Sequence, residues 1–152
     1  MGRLKIADFR RLRRRNPRLT RRGLETVEAA LLFPLLLLFV FGALEYGWMF
    51  LKQQQVTNVA RQGARLAATP SATVGDVTAR VTSLMNDASL GSSGYTLNVS
   101  SLNTDPGSTL TVTISVPYNN ITITHMTDPS MIVHLPAPAT LSATVAMAKE
   151  GP

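Results

Sequence analysis

The sequence predicts an α+β protein with a long N-terminal transmembrane helix, a second short helix and a small antiparallel β-sheet. Three observations predict it. Residues 29–51 form an apolar stretch whose one charge is Glu45. Small and apolar residues then recur at three- and four-residue steps as far as Ala67. Beyond residue 95, apolar residues alternate with Thr, Ser and Asn in three short runs, the period of a strand with one buried face.

The net charge of +6 belongs to one end of the chain. Residues 1–22 hold ten Lys and Arg against Asp8, whereas the remainder holds five basic and eight acidic side chains. Such a run is either a nucleic-acid-binding patch or the cytoplasmic flank of a membrane helix. The apolar stretch that follows favours the flank. Residues 1–23 therefore read as a cytoplasmic leader arm, with no nucleic-acid partner expected and the C-terminal part exported. Pro17 argues against one continuous helix through the arm, which reads as disordered.

Residues 29–51 number 23, about 34 Å as a helix, enough to cross a bilayer and face its lipid. Tyr46 and Trp48 sit near the far end, where amphipathic aromatic side chains prefer the membrane interface. Glu45 lies near the same end and has two readings, interfacial exposure or a partner on another subunit. Pro34 removes the hydrogen bond to the Ala30 carbonyl and is expected to kink or loosen the helix. Gly42 and Gly47 are further soft points or close-packing surfaces.

The helix is expected to continue. Val56, Val59, Ala60, Gly63 and Ala67 line one face, with ordinary core packing as the default meaning and a helix–helix assembly surface as the alternative. Pro70 ends the element. A helix over residues 24–69 is about 69 Å long, beyond an ordinary globular helix.

Residues 70–152 read as an exported αβ domain. A helix over residues 74–90 follows from Thr73 as cap with Asp76 three residues on. Val74, Val77, Val81, Leu84, Met85 and Ala88 form its apolar face, and Gly91 is the expected stop. Tyr95, Leu97 and Val99 alternate with polar residues, as do Leu110, Val112, Ile114 and Val116. Asp105-Pro106-Gly107 supplies turn chemistry between these runs, which predicts an antiparallel hairpin. Leu141, Ala143, Val145 and Met147 alternate in a last strand. Residues 121–124 and 131–135 are candidate short strands or an ordered loop, demoted by the flanking prolines.

No catalytic set is legible, so no enzyme activity and no cofactor are expected. His125 and His134 lack helical metal spacing. Asp105 and Asp128 precede prolines, where turn formation explains them. Cysteine is absent, which excludes a disulfide framework and thiolate metal sites. Asn98-Val-Ser and Asn120-Ile-Thr match the glycosylation pattern, which recurs by chance in a chain this rich in Ser and Thr.

The informative junction is Gly23-Leu24-Glu25-Thr26-Val27-Glu28. It places a small residue where a membrane peptidase could reach the backbone. It also places a carboxylate, Glu28, at the edge of an apolar span, where a lone charge is costly. The stretch from Arg22 through Gly-Leu-Glu-Thr-Val-Glu-Ala-Ala-Leu-Leu-Phe-Pro to Leu37 resembles the N-terminus of TadE-like proteins. These are minor pilins or pseudopilins of the tight-adherence (Tad) pilus, in the type IV pilus superfamily. The similarity continues through Phe41-Gly-Ala-Leu-Glu-Tyr-Gly and Asn58-Val-Ala-Arg-Gln-Gly-Ala-Arg, and the ending from Leu141 to Glu150 looks like the family's last strand.

The resemblance implies a pilin-like fold, cleavage by a prepilin peptidase after Gly23, and Leu24 as the new N-terminus. It implies that Glu28 pairs with the new α-amino group of a neighbouring subunit. The implied partners are other pilin or pseudopilin subunits and the assembly platform. The implied setting is the inner membrane, single-pass with the N-terminus cytoplasmic, or a surface pilus. Ala29 stands where the family usually has an aromatic residue. The C-terminal body is larger than a major Tad pilin has, which points to a minor or accessory subunit. The competing expectation is a secreted or membrane-anchored binding protein whose basic and apolar segments form a signal or anchor.

Overall fold

A computed structural model describes residues 17–100, 102, 105–125, 130 and 135–151, with residues 17–22 through their backbone alone. The order of elements is α1 (Pro17–Ala68), α2 (Val74–Asp87), β1 (Thr96–Val99), β2 (Thr109–Pro117), a 3-10 turn at Tyr118–Asn120, and β3 (Thr140–Ala148). The long apolar helix, second helix and three-stranded antiparallel sheet make the α+β class. The chain divides into two compact units, residues 1–39 and 40–152.

Helix α1 begins seven residues before the expected Leu24, with Pro17 opening it. Proline breaks helix interiors but suits the first helical position, because its missing N–H would have no intrahelical partner there. Gly23 therefore lies inside the helix. Pro34 also lies inside it, and the helical assignment continues through that position. In the first unit, Leu24, Leu31, Phe33, Leu35 and Phe39 are all at least 60% exposed.

In the second unit, α2 starts as expected. The Thr73 hydroxyl accepts from the Asp76 N–H at 3.2 Å and the Asp76 carboxylate accepts from the Thr73 N–H at 3.0 Å, a reciprocal cap that satisfies two orphan donors. These bonds to Thr73 hold the Asp76 carboxyl below its ordinary range.

The stop differs from the expectation. Helix α2 ends at Asp87, and Ser89, not Gly91, takes the left-handed conformation with φ 55°. The Leu90 N–H donates to Met85 O at 2.7 Å and the Ser89 N–H to Asn86 O at 2.9 Å, a Schellman closure. Leu90 is buried beneath it. Gly91 instead leaves room for the Asn86 side chain, which occupies the place of a Cβ. Ser89 carries the left-handed strain that glycine would not. Ser89→Gly should stabilise the protein by roughly 1 kcal/mol, read as a higher urea midpoint at unchanged slope; no change would mean that the turn is not strained.

The sheet is a meander in the order β1-β2-β3, antiparallel throughout. Leu97 faces Ile114, and Ile114 faces Ala143. Asp105-Pro106-Gly107 turns as expected, with Gly107 at φ 85° and the Ser108 N–H donating to Asp105 O at 3.0 Å. Leu110, Val112, Ile114 and Val116 are fully buried with Val77, Val81 and Met85 of α2 and Val56, Ala60, Ala64 and Ala67 of α1. The small-residue stripe of α1 is thus core. Gly63 marks the tightest approach: a Cβ there would lie 2.9 Å from Val81 Cγ2 and 3.5 Å from Val112 Cγ1.

Residues 121–124 form no strand. The Thr124 N–H donates to a side chain of α1 rather than to a neighbouring strand. Residues 131–134, His134 and Asp128 lie outside the described residues.

Candidate functional site: the junction of α1 and its anchored loop

Two regions carry the candidate residues. The first is the exposed start of the apolar helix. Gly23, Leu24 and Glu28 are all solvent-exposed, and nothing lies within 4 Å of where a Gly23 Cβ would be. Glu25 and Glu28 are the two carboxylates of residues 23–39. Leu24, Leu31, Phe33, Leu35 and Phe39 are exposed around them. Helix α1 is the one helix among the described residues long and apolar enough to cross a membrane, with mean hydropathy 2.4 over its most apolar window.

The second region lies in residues 40–152 and is built on Glu45. Interfacial exposure was one expectation for this carboxylate and a partner on another subunit the other; the structure places it 1% exposed, with partners from its own chain. Oε1 accepts from the Tyr118 hydroxyl at 2.7 Å. Oε2 accepts from the Thr124 N–H at 2.9 Å and its hydroxyl at 2.7 Å. No cation is needed, because three donors disperse the charge. Burial and the hydrogen bond to Glu45 push the Tyr118 phenol well above its ordinary range, so it remains a donor.

Neighbouring residues of α1 hold the same connection. The Trp48 indole N–H donates to Ile121 O at 2.6 Å, and the Tyr46 hydroxyl to Pro136 O at 2.8 Å. The Gln53 amide donates to Ser142 O on β3 at 2.9 Å. Gly42 is buried, and a Cβ there would lie 3.6 Å from Leu135 Cδ1. Trp48 and Tyr46, read from sequence as interface anchors, thus also make specific bonds within the domain.

Two buried lysines complete the frame. Lys52 Nζ donates to Ala88 O at 3.0 Å, beyond the end of α2, and lies 4.6 Å from the Trp48 ring centroid. Lys149 Nζ donates to Ala67 O at 3.1 Å and Thr69 O at 2.7 Å, at the end of α1. Each helix therefore ends on a cation supplied by another element, where the helix dipole and the unpaired carbonyls both favour positive charge.

Sequence reasoning missed Tyr118, Thr124, Lys52 and Lys149. A signal existed for Lys52. Glu45, Trp48, Lys52, Val56, Val59, Gly63 and Ala67 continue one face at three- and four-residue steps, so the buried stripe begins 11 residues earlier than its apolar members. Nothing in the spacing points to Tyr118, Thr124 or Lys149.

This arrangement fixes the segment after β2 to the part of α1 that lies in residues 40–152. No curated protein and no solved structure matches the chain. Residues 23–65 match the family model described as TadE-like protein, so the family that the sequence resembles is also the one whose model this helix fits, from Gly23 through Glu28 and Glu45 to Arg65.

Proposed function

We propose that the protein is a TadE-like minor pilin or pseudopilin that takes part in building a tight-adherence pilus for surface attachment. The observation that carries this reading is the family match over residues 23–65. The match begins at Gly23 and includes Glu28, the two positions the proposed mechanism needs. In this reading the basic arm stays in the cytoplasm, α1 crosses the inner membrane, and residues 70–152 lie outside.

A prepilin peptidase cuts after Gly23. Glycine is among the least stable residues in a helix, by about 1 kcal/mol relative to alanine, so the backbone there unwinds most readily to enter a protease. Leu24 becomes the N-terminus, and Glu28 pairs with the α-amino group of a neighbouring subunit. Two opposite charges in an apolar bundle each need the other, and the pair sets register more than it adds stability. Other pilin-like subunits and the assembly platform are the proposed partners.

The test is the mass and N-terminal sequence of the mature protein from its native membrane. A start at Leu24 supports processing, an intact leader argues against it, and a start near Ala43 favours a secreted protein with a signal peptide. Glu28→Ala should leave membrane insertion intact and reduce assembly of the protein into pili by at least tenfold, an energy of about 1.4 kcal/mol. Normal piliation in that variant would sink the pairing mechanism.

A further inference from the structure

Residues 40–152 contain five Lys and Arg side chains. Lys52 and Lys149 are buried as helix-end caps. The other three, Arg61, Arg65 and Arg80, are exposed. Arg65 and Arg80 line one groove of about 470 Å³ together with Gln62, Leu66 and Thr69. Arg61 stands one turn before Arg65 on the same face of α1. The Arg80 guanidinium donates to Gln62 Oε1 at 3.1 Å, which holds it toward α1. None of the three arginines has an ion-pair partner among the described residues.

Like charges placed this way repel, and Arg65 and Arg80 have no carboxylate beside them among the described residues. The arrangement suits an anion that enters between the helices. Guanidinium groups bind carboxylates and phosphates in a paired, planar geometry that an ammonium cannot copy.

The source of the anion follows from position and charge. Arg65 lies 14 residues beyond Leu51, the last residue of the apolar run, a rise of about 21 Å along α1. The headgroup layer on each side of a bilayer is only about 5–7 Å deep, so lipid phosphates remain far below the groove. A nucleic-acid strand would meet a domain with six acidic and five basic side chains, which offers no extended positive track. A second copy of the domain exposes Asp87, Asp105 and Glu150, each alone in its own segment, while its Glu45 is buried and its Asp76 is bonded in the α2 cap, so no described segment of it carries two free neighbouring carboxylates. The apolar wall at Leu66 and the hydrogen-bonding groups of Gln62 and Thr69 fit a peptide backbone with an acidic side chain on each side.

We propose that the Arg65–Arg80 groove binds a carboxylate-rich segment of a different protein, docked between α1 and α2. This inference rests on the reading of residues 29–51 as a membrane span and not on the pilus reading.

The test is site-specific photo-crosslinking in the native cell. A benzophenone side chain replaces Thr69 in the full-length protein, with the same group at the exposed Asn98 as control. Mass spectrometry then identifies the crosslinked peptide. The expected result is an adduct from position 69, and none from 98, to a peptide of another protein with at least two closely spaced Asp or Glu residues. The adduct should be lost in Arg65→Gln/Arg80→Gln and largely kept in Arg65→Lys/Arg80→Lys, with the melting temperature unchanged in both. No adduct, an adduct with lipid, nucleic acid, a second copy or a peptide without paired acids, or one that survives the glutamine variant would each overturn the proposal.

Discussion

Glu45→Ala should lower the stability of the domain by roughly 3 kcal/mol, because three neutral donors lose their charged acceptor. The substitution leaves the Tyr118 hydroxyl and both Thr124 donors without their shared acceptor. Each hydrogen bond lost to the carboxylate costs about 1–3 kcal/mol, less where another acceptor remains, as Glu45 O does for the Tyr118 hydroxyl at 3.5 Å, and the segment escapes part of that cost by leaving the helix. Trp48 is the chain's one tryptophan and bonds to Ile121 in the same segment, so its emission reports both events. Full-length protein in detergent micelles should therefore show an earlier urea midpoint and a red-shifted native spectrum. Glu45→Gln keeps one oxygen acceptor and should lose less. A midpoint within error of wild type for Glu45→Ala would mean that the carboxylate is not holding the loop.

Gly63→Leu should cost about 3 kcal/mol, at the upper end for overpacking. Helices α1 and α2 and strand β2 meet at this residue, where even a Cβ would approach Val81 and Val112 to 2.9 and 3.5 Å. An isobutyl group can enter only by separating α1 from α2 and the sheet, which exposes a core built from Val56, Ala60, Val77 and Val112. Gly63→Ala separates two effects. Alanine gains about 1 kcal/mol in helix propensity and loses a similar amount by displacing Val81, so its net change should be small. Combining Gly63→Ala with Val81→Ala should show favourable coupling in a double-mutant cycle. Additive energies would place the strain elsewhere.

The elements were legible where one periodicity decides the state. The alternation from Leu110 to Val116 became β2 with every apolar member buried. The Thr73–Asp76 pattern became a cap because both partners lie within one turn. Boundaries set by a choice among local conformations were less legible. Pro17 is equally a helix breaker and a first-turn residue, and only the chain after it decides. Ser89 took the left-handed turn because Leu90 needed to be buried, which is a tertiary demand invisible to glycine-based rules. The site was legible in its helical half. Glu45 stood out as a charge in an apolar run, yet its partners are 73 and 79 positions away. No local pattern announces a tyrosine and a threonine that become donors only after the chain has crossed the sheet.

The lysine at the end of α1 has a consequence for the order of synthesis. Ala67 is translated early, but the cation that covers its carbonyl comes 82 positions later, just after β3. Strand β3 also supplies one of the two neighbours of β2. A nascent chain that stops before Thr140 has an open edge on its middle strand and bare carbonyls at the end of its longest helix. Closure of the domain therefore reports that translation has reached Lys149, and a chain that stops short of β3 stays distinguishable by its unsealed end.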